Sequence, residues 1–246
     1  MPPEQMPGFA WVFTPLAERR RILNSPPVRH ALIVRGGWEG HAPVQATDLF
    51  LPFLREQGFD LTVSDTLDAY LDAEALAATD LVVQCWTMGE ITREQSAGLA
   101  AAVAAGTGLA GWHGGICDAF RSDTGYQWLT GGQFVMHPPE FVDHTVDIVP
   151  ERAGHAIVKG LPDAIRVHTE QYLVHTDPAV DVLATTTFAD ADGIPAPARG
   201  ATSAAVWTRT WGLGRVFVST IGHKPDDLED PTVRELTERG LLWAAR

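Results

Sequence analysis

Hydrophobic positions fall in two textures along the chain. In the first, short apolar runs alternate with stretches patterned at helical spacing. Residues 31–34, Ala-Leu-Ile-Val, read as a buried strand that ends at Arg35-Gly36-Gly37. Residues 43–57 carry apolar side chains at Val44, Leu49, Phe50, Phe53 and Leu54 and stop at Gly58, which predicts a helix; Pro52 inside it predicts a kink. Residues 59–64 predict a second strand, 70–78 a short helix and 80–84 a third strand. Residues 92–105 predict a helix with Thr92 as its N-cap and Glu94 and Gln95 in the first turn, and 109–112 a fourth strand. Such alternation implies right-handed crossovers and a parallel sheet with helices on both faces. Ligands bind such sheets at the carboxyl ends of the strands, which here means residues 35–41, 85–90 and 112–120.

Past residue 130 the texture changes to short β-like runs, 142–149, 182–188, 204–208 and 215–220, between Pro, Gly and Asp turns. Some predict an antiparallel extension, and the last, RVFVST, a return to the central sheet. Residues 229–245 predict an amphipathic helix with Val233, Leu236, Leu241 and Leu242 inward. Residues 1–29 are Pro-rich and weakly patterned. They read as an extension that packs on the core or on a neighbouring subunit, which is the reason to expect a homo-oligomer; residues 30–246 form the domain.

Composition narrows the function. With 246 residues, 45% of them hydrophobic, the chain can bury a large core. A net charge of −13 leaves no basic surface to displace counterions from phosphates, so nucleic acid is not an expected partner. A small neutral molecule fits better. The longest uncharged stretch, residues 96–117, is broken by Gly106, Gly108 and Gly111 and reads as a helix and a buried strand, not a membrane span. The N-terminal GFAWVF is too short for a secretion signal, and its basic cluster follows it. Two cysteines, Cys85 and Cys117, read as reduced thiols of a cytoplasmic protein.

The candidate chemistry lies in the nine histidines. Three follow glycine-rich strand ends: His41 in GGWEGH, His113 in GWHGG and His223 in STIGHK. A nucleophile elbow would hold Ser or Cys where His113 stands; Cys117 lies four residues further on and reads as a small buried thiol. His137 and His144 flank the acidic HPPEFVDH, and His168 and His175 bracket Glu170 in VHTEQYLVH. Strand-like context makes His144, His168 and His175 better read as satisfied polar contacts, and His30 and His155 as peripheral. Neither GxxxxGK[ST] nor GxGxxG follows the first strand, so nucleotide binding by those loops is unsupported. Glu140, Asp143 and Glu170 are the carboxylates available for acid–base work. Trp38, Trp86, Trp112 and Trp128 near strand ends offer faces for a sugar ring or caps for the core.

VRGGWEGH, GLAGWHGG, GGQFVMHP, HAIVKGLP, HTEQY and GLGRVFVSTIGH occur in that order, and together they resemble the landmarks of the trehalose-utilisation (ThuA-like) family over residues 30–246. The resemblance implies a flavodoxin-like three-layer α/β sandwich related to the class I glutamine amidotransferase-like superfamily, with a mostly parallel central sheet and an added β-rich segment. It implies that His113 replaces the amidotransferase cysteine and that His223 stands at the amidotransferase histidine. An imidazole forms no stable thioester, so glutaminase activity is not expected. Where the family commonly carries an Asp-Glu pair, this chain has His168-Thr169-Glu170, so only the glutamate is kept.

The resemblance further implies sugar catabolism: a disaccharide or keto-sugar processed by isomerisation, elimination or hydrolysis, alongside a partner oxidoreductase. His113, His223 and Glu170 are the expected catalytic groups and the expected ligands of any divalent transition metal such as zinc. Gly37, Trp38, His41, Trp86, Trp112, His137 and Tyr172 are the expected substrate contacts. A base removing the proton α to a carbonyl would serve a keto-sugar. The alternative is a sugar-binding or regulatory protein that keeps the fold without turnover.

Overall fold

The computed structural model describes residues 28–246. The extension expected over 1–29 lies outside these residues, apart from Val28 and Arg29.

The strands are β1 (Arg29–Gly37), β2 (Phe59–Ser64), β3 (Leu81–Thr87), β4 (Gly108–Trp112), β5 (Gly132–Met136), β6 (Val142–Ile148), β7 (Ala164–Thr169), β8 (Leu173–Thr176), β9 (Asp181–Thr187), β10 (Thr202–Trp211) and β11 (Gly214–Ser219). The helices are α1 (Pro43–Asp48), α2 (Leu51–Glu56), α3 (Ala73–Ala78), α4 (Arg93–Ala104), α5 (Gly114–Cys117), α6 (Thr124–Thr130), α7 (Pro225–Glu229) and α8 (Pro231–Ala244).

Nine strands form one sheet in the order β2-β1-β3-β4-β11-β10-β9-β6-β7, and β5 and β8 form a separate ribbon. From β2 to β11 every pairing is parallel; from β11 to β7 every pairing is antiparallel. The sheet is therefore mixed, with a parallel half that carries helices on both faces. RVFVST returns to the parallel half as expected, with β11 beside β4. β3 and β4 are buried almost throughout, which is why both read as continuous apolar runs.

Alternation along each strand divides the core into two layers. Ala31, Ile33, Leu81, Val83 and Phe217 pack with Phe50, Leu54, Val233, Leu236 and Leu241 on one face. Leu32, Val34, Val82, Leu109, Val216 and Val218 pack with Leu99, Val103, Tyr126 and Leu129 on the other. Leu242, expected inward, is only partly buried at the edge of the first layer.

Some local expectations are revised. The helix over 43–57 is two helices, and Pro52 sits in the first turn of the second, where its missing N–H costs nothing. The helix over 70–78 begins later, at Ala73, where the Asp72 side chain accepts from Ala75 N–H; a 3-10 turn, Leu67–Leu71, precedes it. Thr92 caps α4 as expected, in a reciprocal pair with Gln95. β5 was not expected as a strand, and β7 and β8 were noted as strand-like context around His168 and His175 without bounds.

Candidate functional site

β1, β3, β4 and β11 end side by side, and glycine lets the chain turn there without distance. A Cβ on Gly36 would lie 2.6 Å from the Trp86 ring, and one on Gly37 would lie 2.2 Å from Thr87 O. The turn after Gly37 brings His41 back over the strand ends. It is buried, and its Nδ1 lies 2.9 Å from Thr87 Oγ1.

His113 follows β4 at φ 47°, ψ −142°, a backbone state that L-residues rarely adopt. Two contacts to the neighbouring strand end hold it: its N–H donates to Ser219 O at 2.7 Å, and its Nδ1 lies 2.8 Å from Thr220 O. A carbonyl only accepts, so Nδ1 carries the proton and Nε2 points into the crevice. At Gly114 a Cβ would lie 2.5 Å from the His41 ring; its absence lets the two imidazoles share one space. The four-residue helix α5 that follows has carbonyls without helical partners. A buried polar network beneath it takes up two of them. Gln84 donates to Gly115 O at 3.1 Å and to the Tyr126 hydroxyl, Tyr126 donates to Ile116 O at 2.9 Å, and the Tyr70 hydroxyl donates to Gln84 Oε1 at 2.9 Å.

The carboxylate arrives from the β-rich half, between β7 and β8. Gln171 is buried and bonds to Thr186 Oγ1 at 2.6 Å, which turns its neighbours Glu170 and Tyr172 the other way, toward the crevice. Glu170 Oε2 lies 3.1 Å from both His113 Nε2 and His223 Nδ1, and Oε1 lies 3.5 Å from His137 Nε2. The Tyr172 ring packs on His113 at 4.1 Å between centroids. Asp227 ties the two arms together: Thr169 Oγ1 donates to its Oδ2 at 2.6 Å and Lys224 N–H donates to the same oxygen at 3.2 Å.

Charge follows from this packing. Burial pushes the Glu170 carboxyl up, but the His113 and His223 imidazoles against it outweigh burial and hold the group well below the usual carboxylate range. Burial pushes His41 down to about 3, helped by the neighbouring histidines, so it is neutral at ordinary pH. With its proton on Nδ1, a neutral His113 would face a carboxylate oxygen with a lone pair. That contact needs a proton or a cation between the two atoms. His223 Nδ1, although 3.1 Å from Glu170 Oε2, lies off hydrogen-bonding geometry and is buried without a partner among the described residues.

His41, His113, Glu170 and His223 each offer a ligand atom, and these atoms all lie within 4.8 Å of one another. Ligands about 2.0–2.1 Å from a tetrahedral ion stand roughly 3.4 Å apart. The donor set and the orphaned His223 nitrogen therefore fit a divalent transition metal.

Other expected site residues fall in different places. His137 is at the edge of the cluster, and Trp38, 47% exposed, stands at its mouth with its ring 4.8 Å from that of His41. Gly37 contributes its turn. Trp86 lies over Gly36 and Gly89 and helps to wall the strand ends. Trp112 is 1% exposed and packs against Phe50, so its ring is core and has no face for a substrate. Of the carboxylates, Glu140 and Asp143 are not in the cluster; Asp143 pairs with the exposed His168. His144 and His168 line a separate open hollow of about 840 Å³. His30 and His155 lie near Asp60 and Trp243. Cys85 and Cys117 are free and buried, and burial pushes the Cys85 thiol up to about 12 and the Cys117 thiol higher. Thr87, Phe141 and Asp227 escaped the sequence reading; Phe141, 5.0 Å from the His223 ring, lies in the HPPEFVDH segment, which was read for its histidines and acidic residues.

These features define a flavodoxin-like α/β protein with a His/Glu crevice at the carboxyl ends of its parallel strands. The chain belongs to the ThuA family, described as trehalose utilisation, whose family model matches residues 30–244. Its fold is similar to that of a ThuA-like protein from Bacteroides uniformis, at 19% identity and TM-score 0.70 over 89% of this chain and 91% of that one. A ThuA-like protein from Parabacteroides merdae gives 18% identity and TM-score 0.67 over 89% and 90%. A cytoplasmic protein from Salmonella typhimurium gives 15% identity and TM-score 0.61 over 88% and 100%. No curated protein matches the chain in sequence. Among the described residues no helix is long and apolar enough to cross a membrane.

Proposed function

We propose that the chain is an enzyme of sugar catabolism that acts on a disaccharide or keto-sugar in the crevice between His41, His113, Glu170 and His223. One observation carries the reading: Glu170 Oε2 lies 3.1 Å from both His113 Nε2 and His223 Nδ1, in a buried setting that strand ends and glycines assemble. Glu170 holds the two imidazoles against each other and keeps a negative charge between them. His113 has its Nδ1 proton committed to Thr220 O, which leaves Nε2 as the atom that gives or takes a proton. His137, the most exposed imidazole around Glu170, passes protons between the crevice and solvent. Trp38 at the mouth stacks on the sugar ring, and Tyr172 keeps the His113 ring in plane.

A divalent metal such as zinc would be held by His113, Glu170 and His223, with His41 as a fourth donor, and would supply Lewis-acid polarisation of a carbonyl or of water; His113 Nε2 would then be a ligand, and proton transfer would fall to His137. The elbow is read as an amidotransferase-type turn emptied of its thiol. Both cysteines lie in the core with their thiols held protonated, which supports the absence of glutaminase chemistry.

The test is a turnover screen with disaccharides and their keto derivatives on wild type and His113→Ala. Turnover on one substrate class that drops by about 100-fold or more in the variant supports the assignment. Full turnover in His113→Ala would sink it.

A further inference from the structure

Trp128 does not stand at the crevice. It projects from α6, is 62% exposed, and is the most exposed tryptophan among the described residues. Its ring is nevertheless held. Trp211 meets it edge-on, with centroids 4.9 Å apart and planes at 89°. Trp211 in turn donates from Nε1 to Ala100 O at 3.1 Å, and the Arg209 guanidinium lies 5.4 Å from its centroid. Arg209 also donates to Trp128 O and, at 2.8 Å, to Asp177 Oδ2, so backbone and ring are fixed from one side.

Beside the indole lies a hollow of about 490 Å³, whose polar lining is Arg93, Ser96, Ser122, Asp123 and Thr124. Asp123 and Ser96 are bonded to each other at 3.2 Å. Within the described residues the side chains of Arg93, Ser122 and Thr124 make no hydrogen bond. Trp211 pairs with Gly214 at one end of the β10–β11 hairpin, and Ser219, which receives the His113 N–H, is at the other end. The five residue steps from Gly214 to Ser219 span about 17 Å, so the hollow and the histidine crevice are separate places.

We propose that this hollow is a second carbohydrate-binding site that takes one or two pyranose rings of a neutral saccharide. A pyranose has an apolar C–H face and a rim of hydroxyls. An exposed, immobilised indole matches the first, and short hydroxyl side chains with one carboxylate and one guanidinium match the second. The volume lies within the range of about 300–1,000 Å³ usual for small-ligand sites. A second copy of this chain would instead have to bury Arg93, Ser122 and Thr124 without their solvent partners. Held rings lose little freedom on binding, which favours the ligand over a loose surface contact.

The experiment titrates cellobiose, maltose and trehalose into wild type, Trp128→Ala and Glu170→Gln by calorimetry and ligand-observed NMR, with sorbitol as an acyclic control. Because Trp128 is at the surface, Trp128→Ala should fold normally, which circular dichroism checks. The expected result is saturable binding of at least one disaccharide to wild type and Glu170→Gln, weakened about tenfold or more in Trp128→Ala and absent for sorbitol. Absence of saturable binding to wild type up to 50 mM, or equal binding in Trp128→Ala, overturns the proposal. Binding lost in Glu170→Gln but kept in Trp128→Ala would place the sugar in the histidine crevice and overturns it as well. Sedimentation that finds a wild-type dimer and a Trp128→Ala monomer, with no sugar binding, would assign the indole to a second copy instead.

Discussion

Gln84 gives the sharpest energetic prediction about how the elbow is held. Its side chain is fully buried on β3 and satisfies two groups that no other side chain among the described residues reaches, the Tyr70 hydroxyl and Gly115 O. Gln84→Leu keeps the volume and removes both partners. Each orphaned group costs roughly 1–3 kcal/mol, while the apolar replacement returns part of that, so the expected loss is about 3 kcal/mol. For a chain of this length that lowers Tm by roughly 6–12 °C. Tyr70→Phe in the same background removes one of the orphans. The double variant should therefore be about 1 kcal/mol more stable than Gln84→Leu alone. Urea unfolding followed by tryptophan fluorescence measures both. A Gln84→Leu variant within about 0.5 kcal/mol of wild type, or a double variant no better than the single, would refute the idea that this network carries the elbow.

Other consequences follow from the same geometry. Gly114→Ala puts a methyl 2.5 Å from the His41 ring, so it should displace that imidazole and cost roughly 1–3 kcal/mol; histidine NMR shifts and a urea titration would show both. Glu170 is a carboxylate held below its usual value. Its stabilisation is therefore complete above the unfolded value near 4.5 and is lost as pH falls toward the lowered folded value. Glu170→Gln should be less stable than wild type at pH 5–6, and the deficit should shrink below pH 4.5; a deficit that grows with acid would reverse the sign of the argument. Trp38→Ala, at an exposed mouth position, should leave stability within about 0.5 kcal/mol while weakening substrate binding; a large stability loss in thermal melts would make Trp38 structural instead.

The parallel half of the sheet was legible because fully buried strands are unbroken apolar runs. β4 was located to within one residue in this way; β2, an edge strand only partly buried, was located at its observed bounds by its alternating Phe59, Leu61 and Val63. The helix over 43–57 misled because its apolar positions continue across the break at Leu49 and Phe50, and both halves face the same layer. β7 and β8 are short and carry His and Thr among few apolar positions, so strand-like context was noted around His168 and His175 without strand bounds being drawn. The crevice histidines were visible through glycine-flanked strand ends, a signal that comes from close backbone approach. Trp112 was misread for the same reason: it shares the GWHGG context with His113, but alternation on β4 and its elbow sends the two rings to opposite sides. Asp227 could not have been found from sequence, because it acts by joining β7 to the His223 loop across the fold.

The central claim is that His41, His113, Glu170 and His223 act as a single donor set. The most direct test is elemental mass spectrometry on untagged protein purified without chelator, for wild type and His113→Ala at equal concentration. The account predicts close to one transition-metal ion per wild-type chain and loss of most of it in the variant. Metal-free wild-type protein that also takes up no zinc on dialysis, or a His113→Ala variant that holds as much metal as wild type, would contradict it.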